Sequence, residues 1–133
     1  MNKTSGREVI VDQWLKVTTF GITLGMDSAE SGETGFFTQI QLGGRPRDGS
    51  QVTRAYLYFD DTVQKHTSEY AADEKLIRAF YPKALFADML GIIRDALKAQ
   101  TDINYGYTED RGGTEQVARH AYLDIPQVAG KKE

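Results

Sequence analysis

Cysteine is missing from this 133-residue chain, so neither a disulfide framework nor a thiolate zinc site can hold it together. Histidine is nearly missing too. His66 and His120 are the only two, and neither sits in an H-x-x-x-H or H-E-x-x-H context, which removes the common helical zinc arrangement. No apolar run approaches the length of a membrane span. Basic excess is also lacking. The formal net charge is −3, which argues against a protein that coats duplex DNA by bulk charge. Charges of both signs are mixed, and no block of one sign is long enough to act as an interaction tail.

Catalytic signatures are equally scarce. There is no G-x-S-x-G elbow, no G-x-G-x-x-G and no P-loop. The serines (Ser5, Ser28, Ser31, Ser50, Ser68) fall in apparent loops, and only Ser68 has a histidine nearby. Asp60-Asp61 reads as a turn former at a strand end. The other carboxylates lie in loops or on a wet helix face, without the apolar surroundings that split a pair of pKa values. The sequence therefore predicts no enzyme, no metal and no cofactor. Behind Lys3 and Arg7 the N-terminal residues show no apolar stretch of leader type, so the expected compartment is the cytoplasm.

Apolar residues make up 40% and charged residues 26%, the balance of a globular protein. The length suits a single domain over residues 1–133, with loose ends at 1–6 and 127–133. Residues 9–25 are rich in β-branched side chains and predict one long bent strand or two short ones. Residues 27–34 compose a loop. Alternation returns over 36–42, and the Gly/Pro-punctuated stretch 43–51 predicts a turn. Residues 52–59 alternate most clearly, with Ala55, Leu57 and Phe59 opposite Arg54, Tyr56 and Tyr58.

Residues 60–74 form a long polar connection. The Ala, Glu and Lys content of 71–75 favours helix, but Pro82 bars helical backbone at Tyr81, and the short aromatic run 75–81 reads as a strand. After Pro82 the recurrence of Leu85, Phe86, Met89, Leu90, Ile92, Ile93 and Leu97 predicts an amphipathic helix ending near Gln100. Strands over 103–108 and 115–125 close the chain around a glycine turn at 109–114. The expected fold is α+β: an antiparallel sheet of about six strands in the order β-β-β-β-α-β-β, with one long helix packed on one face.

Seven Tyr, six Phe and one Trp are the distinctive supply. Several Tyr share strands with Arg, and the sequence predicts a contact surface of Arg54, Tyr56, Tyr58, Arg78 and Tyr105, with Arg45 and Arg47 on the neighbouring turn. Tyr and Arg are enriched at protein interfaces. The same side chains can stack single-stranded bases and hold phosphates. They can also simply fill the rim of a core. A third use is a nucleotide or small-anion pocket beside loop 60–74, with Arg45 and Arg47 on the anion. The acidic balance ranks a protein partner first and single-stranded nucleic acid second. The expected role is a non-catalytic binding module, a small accessory or inhibitor protein of bacterial or phage type, acting as a homodimer away from membranes.

Overall fold

The computed structural model describes residues 8–28, 34–60, 67–112 and 117–125. They form seven strands and one helix: β1 (Glu8–Ser28), β2 (Thr34–Pro46), β3 (Arg54–Phe59), β4 (Glu69–Ala71), β5 (Leu76–Tyr81), α1 (Phe86–Lys98), β6 (Asn104–Arg111) and β7 (Val117–Asp124). All seven strands join one sheet in the order β4-β5-β3-β2-β1-β6-β7. The loop expected at 27–34 is shortened from both ends by β1 and β2, and residues 29–33 and 61–66 lie outside the described residues.

The sheet is mixed, which corrects the antiparallel six-stranded expectation. β3 and β5 run parallel, with Ala55 beside Ile77 and Phe59 beside Tyr81. β4, absent from the expected order, pairs antiparallel with β5 as an edge strand inside the polar connection. The β4–β5 hairpin docks with its second strand against β3. Alternation reports which face a residue takes; it carries no information on the direction of the neighbour. The choice of strand for 75–81 agrees with β5.

β1 is the spine. Its second half pairs with β2 and its first half with β6, and the two ladders overlap at Leu15 and Lys16. Register shifts at Val9/Val11 and Val17/Thr19 mark bulges, which increase twist and let a 21-residue strand turn a corner. At the second bulge β2 comes so close that a Cβ on Gly44 would lie 1.8 Å from the Lys16 carbonyl oxygen. This close approach keeps Gly43–Pro46 in β2, where composition had suggested a turn; the turn itself covers only the residues after Pro46.

The curl brings opposite ends of the sheet together through side chains, so the sheet is nearly barrel-shaped. The Tyr81 hydroxyl of β5 meets that of Tyr105 on β6, and the Tyr107 hydroxyl lies 3.2 Å from the Ser68 carbonyl oxygen ahead of β4. Inside sit Leu15, Val17, Ile40, Leu42, Ala55, Leu57, Phe59, Ile77, Ala79, Ile103, Tyr105 and Tyr107, none more than 3% exposed. Each large apolar side chain removed from water in this way contributes about 1.5–3 kcal/mol.

Helix α1 follows a 3-10 turn at Lys83–Leu85 that Pro82 initiates. It buries Ile93 and Ala96, and Phe86 meets Phe59 edge-on at 5.4 Å between centroids. The apolar stripe read from the sequence is wider than the buried one: Leu85 and Ile92 are exposed, because only the Ile93 side reaches the core. The helix ends at a left-handed Gln100. Thr101 N–H donates to the Ala96 carbonyl and Gln100 N–H to that of Leu97, the paired bonds of a Schellman stop. No helix among the described residues is long and apolar enough to cross a membrane.

Candidate functional site

The period of two on β3 places Ala55, Leu57 and Phe59 inside, so Arg54, Tyr56 and Tyr58 point to the convex side. β5 repeats the pattern in register. Arg78 lies beside Tyr56 and Phe80 beside Tyr58, also facing out. Tyr58 and Phe80 stack with centroids 5.1 Å apart and planes 16° from parallel. β2 adds Gln39 and Gln41 opposite Tyr58 and Tyr56. Four of the expected contact residues (Arg54, Tyr56, Tyr58 and Arg78) thus come together on one convex patch.

Each polar group of the patch is held in place. The Arg54 guanidinium sits 5.5 Å from the Tyr56 ring centroid while its Nη1 donates to the Tyr56 hydroxyl at 2.9 Å. Its Nη2 reaches the Glu74 carbonyl oxygen. Arg78 is clamped between Glu69 (2.9 Å) and Glu74 (2.8 Å), one carboxylate from β4 and one from the turn that follows it. Burial pulls the Arg78 guanidinium down in pKa, but the Glu69 bond, the Glu74 charge and Tyr58 outweigh it and the net shift is upward. Gln41 Nε2 donates to Thr23 Oγ1 and Gln39 Oε1, fixing the floor of β2. A depression of about 290 Å³ opens between β1 and β3, with Thr19, Gly21, Gln41, Arg54 and Tyr56 among its walls.

Two Arg and two Glu leave the patch without net charge. It offers aromatic surface and oriented hydrogen-bonding groups, with one guanidinium already neutralised. That is the chemistry of a protein contact more than of a phosphate track.

The other expected residues lie elsewhere. Tyr105 is a correction: it is fully buried inside the sheet, and burial together with Tyr81 pushes its phenol well above the ordinary range. Its strand neighbours Asn104 and Gly106 have no bulky apolar group, so the ring went to the core. Arg45 is exposed at the end of β2. Arg47 is beyond it, donating from Nη1 to Asn104 Oδ1 at 2.6 Å. Arg45 and Arg47 line a shared depression with Lys16, Asp48 and Asp102. Phe80 was missed, although its parity with Arg78 was readable. Among the described residues no group of three His, Asp or Glu could hold a metal ion. Comparison with known proteins finds no matching family model, no matching curated protein and no matching solved structure.

Proposed function

We propose that this chain is a non-catalytic binding module that docks a protein partner on the convex face of β2, β3 and β5. The observation that carries the reading is the Tyr56, Tyr58 and Phe80 cluster, bordered by an Arg54 already oriented over Tyr56. Rigid aromatic side chains with few free rotamers lose little entropy on binding, and such residues dominate interface energetics. The neighbouring depression accepts an anchoring side chain from the partner. Arg78, held by two carboxylates, supplies framework and not an anion site. A second copy of the chain is one protein able to occupy this face.

The test compares wild type with Tyr58→Ala and Tyr56→Ala in affinity capture from the producing cell. Binding is then measured with the purified partner. Each substitution should weaken binding by about 2 kcal/mol or more, roughly 30-fold, the size expected of an interface hot spot. Tyr122→Ala, on other strands, should not. Equal binding by all variants would refute the reading. Salt-sensitive binding of oligo-dT lost in Tyr58→Ala would replace it with a single-strand reading.

A further inference from the structure

A second surface lies on the outside of β1, β6 and β7, away from the β3/β5 patch. Trp14 of β1 pairs across with Gly106 of β6, which pairs with Tyr122 of β7. An ideal Cβ on Gly106 would lie 2.3–2.4 Å from three successive atoms of the Trp14 six-membered ring. Near-equal distances of that kind put the face of the ring, not its edge, over the glycine. Glycine is required here so that the indole can lie across the strand. Tyr122 is parallel to Trp14 within 5° at 6.3 Å, and His120 is parallel to Tyr122 within 4° at 5.8 Å. Three rings therefore share one orientation along this face, and Tyr122 is 45% exposed.

Beside the indole is a cavity of about 390 Å³ lined by Asp12, Trp14, Arg47, Asp48, Asn104 and Asp124, within the size range of small-molecule sites. Its polar groups are oriented in advance. Trp14 Nε1 donates to Asp12 Oδ1 at 2.8 Å, and Arg47 donates to Asn104 Oδ1. Asn104 is only 7% exposed. With its oxygen taken by Arg47, its carboxamide N–H groups have no acceptor within the described residues. Asn104 is itself part of the cavity wall.

We infer that this cavity binds a neutral carbohydrate. The wall presents acceptors on Asp12, Asp48 and Asp124 and donors on Arg47 and Asn104. The three carboxylates outnumber Arg47, but among the described residues they are not grouped to hold a metal ion. A phosphate would face three carboxylates. Hydroxyl groups both donate and accept, and a ring of them satisfies every group without adding charge. The weakly positive C–H face of a pyranose lies well against the negative face of an aromatic ring, and parallel rings offer a platform where a cation-binding cage would need rings that enclose.

Trp14 is the only tryptophan, so its emission reports this cavity alone. The full chain is titrated with maltotriose, cellotriose, mannotriose and chitotriose to millimolar concentration, following Trp14 fluorescence and the indole N–H resonance. At least one sugar should give a saturable change. Asp48→Ala, in the cavity wall, should weaken it, and so should Tyr122→Ala, which lies outside the lining and removes the ring stacked beside Trp14. Tyr58→Ala should leave it unchanged, which separates this site from the docking face. Silence of both signals across the panel would overturn the inference. So would a response to adenosine monophosphate or tetramethylammonium that exceeds the response to every sugar, or sugar binding indifferent to Tyr122→Ala and Asp48→Ala.

Discussion

The Tyr81–Tyr105 hydroxyl pair is one of the contacts that tie the two ends of the curled sheet, and its removal can be worked through quantitatively. Tyr105 is fully buried, and its hydroxyl meets that of Tyr81 at 2.5 Å. Tyr81→Phe keeps the ring that stacks on Phe59 but strands the Tyr105 hydroxyl in the core. A buried group deprived of its partner costs about 1–3 kcal/mol. Tyr105→Phe strands the other hydroxyl, yet Tyr81 is only part-buried and water can reach it, so the loss should be nearer 0.5–1.5 kcal/mol. The double substitution removes both polar groups while keeping both rings, and should return to within about 1 kcal/mol of wild type. Urea unfolding reads all four proteins. A loss of about 2 kcal/mol moves the midpoint down by roughly 1 M, given a slope of about 1–3 kcal/mol per molar. A double variant destabilised by the sum of the single losses would show that the hydroxyls do not bond each other, and the closure of the sheet would need another cause.

Three further outcomes follow from the same structure. Burial holds the phenols of Tyr105, Tyr81 and Tyr107 above the ordinary range, with the Glu109 carboxylate adding to the effect at Tyr107 and the Tyr105 bond opposing it at Tyr81. The unfolded chain therefore loses these protons first, near pH 10. Stability should be level with respect to these groups below about pH 10 and fall above it, by up to about 1.4 kcal/mol per pH unit for each phenol, as thermal melts across alkaline buffers would show. Gln100→Gly relieves a left-handed backbone at the helix stop (φ 59°) and should stabilise by about 0.5–1 kcal/mol in urea unfolding. Gly44→Ala places a methyl group against the Lys16 carbonyl oxygen, and should destabilise by about 3 kcal/mol or prevent soluble expression.

Much of this was legible because alternation is a faithful record of inside and outside. Ala55, Leu57 and Phe59 are buried and Arg54, Tyr56 and Tyr58 are turned outward, as the period of two on β3 requires. Tyr105, expected on the contact surface, is buried. Tyr serves either face, and the deciding clue was the small Gly106 and polar Asn104 beside it. The parallel β3/β5 pairing was not legible, since strand direction depends on where the β4–β5 hairpin docks. Three residues of β4 are too few to show a period. The Trp14–Gly106–Tyr122 row spans three strands, and only their register aligns it. A lone Trp on an outward position, with a Gly between two Tyr on another strand, was the available hint.

The most direct test of the docking face is the affinity of the purified partner for Tyr58→Ala. Tyr58 stacks on Phe80 and faces away from the core, so the variant should keep its fold by circular dichroism and lose about 30-fold in affinity by calorimetry. Wild-type affinity in a folded Tyr58→Ala protein would contradict the account and send the search for the partner's footprint to other strands.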